Sequence, residues 1–352
     1  MYKQEQIFTK IQEGIKEMKI AFFDTKPYDV GAFEPLAREM GIDITFFDDK
    51  LTPETVHLAK GYDATCSFVN DRVSADVVQT LVNVGVKAIL LRCAGFDSVD
   101  LEKAKELGIP VLRVPAYSPE SVAEYAVGLL LTVNRKIHLA YNRTKNFNFS
   151  LDGLMGTALK GKTAGIIGTG KIGKIVIEIL LGFGMDVIAY DVYQDVKSNI
   201  KYVPIDELFA KADVISLHVP LTSDTKYIIN AESISKMKNE AILINTARGA
   251  LINTEDLIKS LEIGKFAGIG LDVYEHESKY FFEDKSNEDE KDKILEKLLS
   301  FDRVILTGHQ AFFTKESMNS IAMTTLNNLK NFIENKDLTN EVNLFLDSIK
   351  KQ

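Results

Sequence analysis

The chain has 352 residues, 45% of them hydrophobic and 26% charged, enough material for two globular cores of ordinary composition. A formal net charge of -8 leaves no basic excess of the kind a nucleic-acid surface needs, so small molecules are the expected partners. With Cys66 and Cys93 the only cysteines, no disulfide framework beyond a single bridge is possible and nothing suggests a Cys/His metal cluster; no metal is expected, and a reducing cytoplasm fits.

The opening segment, MYKQEQIFTKIQEGIKE, mixes Lys and Glu with spaced apolar residues and does not read as a secretory signal. Ile7, Phe8, Ile11, Ile15 and Met18 recur at helical spacing, which predicts a short amphipathic helix. No apolar run has the roughly 20 residues of a membrane span. Short apolar runs then alternate with helical stretches: MKIAFFD, DITFFD, DATCSFV, VKAILLRCA and PVLRV read as strands, EPLAREM and DLEKAKELG as helix. That alternation predicts a parallel α/β sheet.

A long helix is expected in SPESVAEYAVGLLLTVNRK, with Ser118 as N-cap, Pro119 at the first helical position and Glu120 in the first turn. Its apolar face carries Val122, Ala126, Val127, Leu130 and Val133. From Thr163 the alternation restarts through TAGIIG, DVIAYD, DVISLHV, AILIN, FAGIGLDV and RVILTG, a second α/β unit. EDKSNEDEKDK is expected to be a solvated loop, and KESMNSIAMTTLNNLKNFIENK a closing helix. If that helix returns to the first unit, two crossings near Tyr117 and Thr314 form a hinge.

Gly168-Thr169-Gly170-Lys171-Ile172-Gly173 follows one strand and opens a helix, the setting in which a G-x-G-x-x-G spacing binds a dinucleotide. Gly168 permits the tight turn, Gly170 lets the backbone approach a pyrophosphate, and Gly173 allows close packing of the helix. The helix N-terminus adds free N–H groups and a positive dipole end. Asp191, closing the strand DVIAYD, is placed to accept hydrogen bonds from the adenosine ribose and to repel a 2′-phosphate, which favours NAD over NADP.

Through LRCAGFDSVDL, VPAYSPESVAEYA, GKTAGIIGTGKIG, ADVISLHVPLT, INTARGALI, LDVYEHE and LTGHQAFFT the chain resembles the D-isomer-specific 2-hydroxyacid dehydrogenases over nearly its whole length, closest to their lactate-forming fermentative members. The fold class this implies is α/β: two Rossmann-like parallel-sheet domains, one flavodoxin-like and one dinucleotide-binding, with a cleft between them. Residues 1–116 and 314–352 would form a discontinuous substrate domain, and 117–313 an NAD-binding domain that also carries the interface of a homodimer or homotetramer.

The resemblance implies reversible hydride transfer between NADH and C2 of a 2-keto acid, pyruvate first among the candidates and a D-2-hydroxy acid the product. Arg248 would bind the substrate carboxylate and polarise the keto oxygen, a task suited to a planar guanidinium. His309 would be the general acid/base. Glu277, in preference to its neighbours Glu275 and His276, would orient that histidine and favour its charged form. Val219, Pro220, Thr246 and Ala247 would wall the cofactor groove, with Asp272 near the nicotinamide end. Ala94 and Gly95 would offer backbone N–H groups to the carboxylate, and Tyr117 and Phe312 would line the pocket. Cys93 reads as a small buried hydrophobe, and His57, His138 and His218 have no comparable partner in sequence. A larger 2-keto acid remains a second substrate reading, and an NAD-sensing corepressor-type binding protein a reading from another class.

Overall fold

The computed structural model describes residues 18–69, 71–288 and 291–342. Chain contacts divide it after Tyr117 and again after Phe313 into two compact units, which groups Tyr117 with the first unit and not with the second as the sequence reading had it. Ile7, Phe8, Ile11 and Ile15 of the expected leading helix lie outside the described residues. Met18, assigned to the same helix, instead begins the first strand.

In the first unit, β1 (Met18–Phe22), β2 (Ile42–Phe46), β3 (Ala64–Ser67), β4 (Ala88–Leu91) and β5 (Val111–Leu112) form an all-parallel sheet in the order β2-β1-β3-β4-β5. Each strand is shorter than its apolar run because the flanking residues already turn into loops. Every residue of β3 and β4 is buried, the pattern of strands covered on both faces, which explains why β4 reads as a continuous apolar run without alternation, while β3 buries Thr65 and Ser67 beside Ala64 and Cys66. The crossovers carry α1 (Pro27–Met40), α2 (Ala75–Asn83) and α3 (Leu101–Glu106). Asp100 caps α3 by accepting the Lys103 N–H at 2.8 Å. The last helix of the chain, α11 (Lys315–Ile333) in the numbering used below, packs on α1 and β4. Beyond it the chain returns to β5: Val342 N–H donates to Val111 O at 2.8 Å, and Leu112 bridges antiparallel to Glu341. The edge of the sheet is thereby covered.

The second unit opens with α4 (Pro119–Arg135), whose N-cap Ser118 accepts the Ser121 N–H at 3.3 Å. Val122, Ala126, Val127, Leu130 and Val133 are all buried, as the helical spacing predicts. The short α5 (Ile137–Lys145) buries none of its residues, and Ile137, Tyr141, Phe147, Phe149, Leu151 and Met155 are exposed on it and on the stretch that follows. The sheet comprises β6 (Thr163–Ile167), β7 (Asp186–Tyr190), β8 (Val214–Leu217), β9 (Ala241–Asn245), β10 (Phe266–Leu271) and β11 (Val304–Leu306), all parallel, in the order β11-β10-β9-β8-β6-β7. Between the strands lie α6 (Lys171–Gly182), α7 (Ile205–Lys211), α8 (Ala231–Lys236), α9 (Thr254–Glu262) and α10 (Lys293–Leu299).

Apolar layers cover both faces of this sheet. Leu129, Leu130, Val133 and Val176 from α4 and α6 pack on one side, and Leu208, Phe209, Leu257 and Leu261 from α7 and α9 on the other. The end of the acidic segment 283–293 departs from a solvated loop: Asp292 caps α10 through the Ile294 and Leu295 N–H groups and accepts the Tyr274 hydroxyl at 2.9 Å. Among the described residues, no helix is long and apolar enough to cross a membrane.

Helices approach the sheet closely where strands lack side chains. A Cβ on Gly165 of β6 would lie 2.5 Å from Leu208 Cδ2 and 2.9 Å from Ala212 Cβ. Gly165→Val is therefore expected to destabilise the protein by about 1–3 kcal/mol through overpacking, read as a lowered midpoint in urea unfolding.

Candidate active site

The sheet of the second unit changes winding direction between β6 and β8, since the chain runs from β6 outward to β7 and then returns to the far side. In open parallel sheets ligands bind beyond the carboxyl ends of the strands at this point. The glycine loop follows β6, Val219 and Pro220 follow β8, and Thr246, Ala247 and Arg248 follow β9. Thus the residues singled out for the cofactor come from loops at one edge of one sheet.

Each glycine of the loop has its own reason. Gly168 adopts a φ of 97°, and a Cβ there would sit 2.6 Å from the His218 carbonyl carbon and 2.8 Å from Val219 N. A Cβ on Gly173 would fall 2.0 Å from Gly168 O, so the first turn of α6 packs on the loop itself as well as on the sheet. Gly170, the N-cap of α6, has nothing within 4 Å of a Cβ position and leaves the helix N-terminus open. Ile172 is half-buried and Lys171 exposed.

Asp191 sits against this loop. Its Oδ2 accepts the Thr169 N–H at 2.6 Å and the Thr169 hydroxyl at 3.0 Å, and its Oδ1 accepts the Tyr193 N–H at 2.9 Å. A carboxylate has about four lone-pair sites, so one acceptor direction is left over on Oδ1. The buried Thr246 hydroxyl, at the carboxyl end of β9, has no hydrogen-bond partner among the described residues. An open helix N-terminus, a carboxylate with spare acceptor capacity and an orphaned hydroxyl on one sheet edge fit a dinucleotide.

The strands β9, β10 and β11 are neighbours, and the loops beyond them carry Arg248, Glu277 and His309. His309 Nδ1 lies 2.8 Å from Glu277 Oε1, with each side chain about one-fifth exposed. An ionised carboxylate only accepts, so Nδ1 carries the hydrogen and Nε2 of the neutral ring is left as the acceptor. Glu277 is itself held, its Oε2 accepting the Tyr274 N–H at 2.9 Å. The rival carboxylate Glu275 is occupied elsewhere, accepting the hydroxyls of Tyr227 and Thr254, and His276 packs edge-on to the Tyr274 ring.

His309 takes a φ of 56°, a left-handed conformation that costs a non-glycine residue roughly 1–2 kcal/mol. Asp272 holds it there. Its backbone oxygen accepts the His309 N–H at 2.8 Å, while its fully buried carboxylate accepts the Thr307 hydroxyl at 2.5 Å and the N–H groups of Gln310 at 2.9 Å and Ala311 at 2.7 Å. Burial pushes the Asp272 carboxyl up, and these hydrogen bonds oppose the shift. The side chain expected near the nicotinamide end is thus engaged in building the histidine loop.

Two residues that sequence reasoning passed over shape the Arg248 loop. Asn245 folds its own carboxamide over the turn, accepting the Ala247 N–H at 3.0 Å and donating to Arg248 O at 2.9 Å. Gly249 lets the turn lie against the loop beyond β10, because a Cβ would meet the Tyr274 carbonyl carbon at 2.1 Å. The Arg248 guanidinium spends one N–H on Ala247 O at 2.7 Å and retains the rest. A third unforeseen neighbour is Phe282, whose ring centroid lies 5.9 Å from that of His309. Phe312 is buried and Phe313 exposed.

Ala94, Gly95 and Tyr117 belong to the first unit, and the other candidates to the second. Cys93 is buried as expected, and its thiol donates to Gly95 O at 3.2 Å. Burial pushes the Cys66 thiol up to about 12, which makes it unreactive. His57 and His138 bond backbone carbonyls of Glu54 and Asp302.

His218 packs beneath the glycine loop with its Nε2 2.8 Å from the Ser216 hydroxyl, and burial pulls it from 6.5 down to about 4. The unfolded chain takes up a proton that the folded state resists, so stability is lost as pH falls from 6.5 towards 4. His218→Gln is expected to flatten this part of the curve, measured by urea unfolding at a series of pH values.

Known proteins of similar sequence and fold place the chain in a family. Residues 127–311 match the model of the D-isomer specific 2-hydroxyacid dehydrogenase, NAD binding domain. The chain is 47% identical over 328 residues to the D-lactate dehydrogenase of Escherichia coli K12, spanning 92% of this chain and 100% of that protein. The apo-structure of the Escherichia coli D-lactate dehydrogenase superposes with a TM-score of 0.84 at 45% identity, over 92% of this chain and 100% of that one. The pyruvate reductase of Chlamydomonas reinhardtii gives a TM-score of 0.87 at 41% identity, covering 92% and 98%. With its glycine loop at the winding reversal and its histidine–glutamate pair on adjacent loops, the chain belongs to the family of D-isomer-specific 2-hydroxyacid dehydrogenases.

Proposed function

We propose that this protein is an NAD-dependent D-lactate dehydrogenase that interconverts pyruvate and D-lactate. The observation that carries the reading is the hydrogen bond between His309 Nδ1 and Glu277 Oε1, at 2.8 Å, on loops beside the one that bears Arg248. The relatives named D-lactate dehydrogenase and pyruvate reductase support the choice of substrate.

The nucleotide would be held by Gly168 to Gly173, with Asp191 at the ribose and Val219, Pro220, Thr246 and Ala247 along the groove. When bound, NADH supplies the hydride that C2 of the keto acid accepts. Arg248 uses its remaining N–H groups to grip the carboxylate and to draw electron density onto the keto oxygen. Protonated His309 donates the Nε2 proton to that oxygen as it becomes an alkoxide, and in the reverse direction neutral Nε2 removes it. Glu277 holds the Nδ1 hydrogen throughout, which fixes the ring orientation and offsets the charge of the imidazolium. In this reading Ala94 and Gly95 offer backbone N–H groups to a carboxylate, and Tyr117 is a substrate-binding residue of the first unit. Phe312 is the ring this reading sets against the methyl group of pyruvate. A bulky ring at that position favours pyruvate over longer keto acids. The exposed apolar side chains of α5 and the following stretch form the interface of a homo-oligomer in the same reading.

His309→Gln is expected to lower kcat for pyruvate reduction by roughly two to four orders of magnitude while NADH binding, followed by fluorescence, stays close to wild type. Retention of near-normal turnover would remove His309 from the chemistry. Asp191→Ala should weaken NADH and improve NADPH, shifting the ratio of their kcat/KM values by tenfold or more, because one carboxylate both accepts from the ribose and repels a phosphate. An unchanged ratio would place cofactor discrimination elsewhere. Steady-state assays with pyruvate, 2-ketobutyrate and phenylpyruvate, with chiral analysis of the product, test substrate and handedness together.

A further inference from the structure

The loop beyond β4 presents three successive carbonyls, and each has a donor. Cys93 O accepts the Val114 N–H at 3.1 Å, Ala94 O accepts Arg113 Nη1 at 2.9 Å, and Gly95 O accepts the Cys93 thiol at 3.2 Å. The N–H groups of Ala94 and Gly95 have no acceptor among the described residues. In a trans peptide the C=O and the following N–H point in opposite directions. A guanidinium that fixes Ala94 O therefore fixes the Gly95 N–H facing away from it.

Arg113 is built to do this. Its backbone is gripped from both sides: its N–H donates to Asn340 O at 3.1 Å, and its carbonyl accepts Asn328 Nδ2 at 2.9 Å. Asn340 Nδ2 in turn donates to Asn328 Oδ1 at 2.8 Å, so α11 and the returning C-terminal stretch hold β5 in place. The guanidinium carbon lies 5.2 Å from the centroid of the Phe96 ring, on the loop that it anchors. A charged donor on a peptide oxygen also polarises that peptide and strengthens the N–H on its other side as a donor.

We propose that Arg113 is a positioning residue for the substrate carboxylate, acting through the Ala94–Gly95 peptide that it orients and polarises. The inference rests on the reading that this loop receives the carboxylate. It makes Arg113 a second arginine of substrate recognition, one that never touches the substrate. Because the carboxylate is bound equally in ground and transition states, the loss on removing Arg113 falls on KM and leaves kcat nearly untouched.

The test is Arg113→Met beside Arg113→Lys in the full-length protein, reading kcat and KM for pyruvate, Ki for oxamate and Kd for NADH. Arg113→Met should raise KM and Ki together by about ten- to a hundredfold, as expected for a lost charged hydrogen bond, with kcat and the NADH Kd within about threefold of wild type. Arg113→Lys, which keeps a cationic donor, should recover most of the loss. Should Arg113→Met fail to fold, Arg113→Gln against Arg113→Lys gives the same comparison. A purely structural role would lower kcat and NADH binding along with KM and would show no lysine rescue, and that result overturns the inference. So does a folded Arg113→Met with unchanged KM and Ki, when the wild type reduces pyruvate. A wild type that reduces no 2-keto acid overturns the underlying reading itself, whatever the variants do.

Discussion

The carboxylate of Asp272 is fully buried, and removing a charge from water is tolerable only when its lone pairs are satisfied. A hydroxyl and two backbone N–H groups satisfy them, all from residues 307–311. The need to solvate one buried oxyanion thus dictates the path of the loop beyond β11. That path forces His309 into a left-handed conformation and aims its ring at Glu277. Strain at His309 persists because the surrounding hydrogen bonds over-determine it.

The same logic of enforced proximity recurs on the neighbouring loops. Gly168 and Gly173 let loop, helix and His218 pack without side chains intervening, and Gly249 does so between the loops beyond β9 and β10. Asn245 replaces an absent secondary-structure partner with its own carboxamide. The sheet supplies parallel strand ends about 4.8 Å apart, and these local devices convert them into a fixed constellation.

How much of this could be read from the sequence depended on the range of the interactions. The strands were legible because covered parallel strands are apolar along their length, although their ends were overestimated wherever an apolar residue such as Phe47 or Phe23 already belongs to a loop. The glycine loop was legible because its spacing is local. Glu277 and His309 were named by family resemblance, and nothing local joins residues so far apart. Asp272 was placed near the nicotinamide end by the same resemblance, and the donors that its carboxylate accepts come from a loop more than thirty residues on, beyond the reach of any local pattern. Gly249 and Phe282 carried no signal, since each matters only through a chain segment distant in sequence, whereas Asn245 acts locally, on main chain two and three residues ahead, in a turn that its residue type alone does not mark. Tyr117, half-buried, and Phe312, buried, were named as pocket residues by resemblance.

The Gly249 contact also bears on how such an enzyme can change over generations. Because position 249 touches the backbone at Tyr274, no rearrangement of the arginine loop is free of the segment that carries Glu277. Mutational drift at one loop must be matched by the other, so the two form a single heritable module. Diversification of substrate range is then channelled away from them, towards side chains whose neighbours are not main chain.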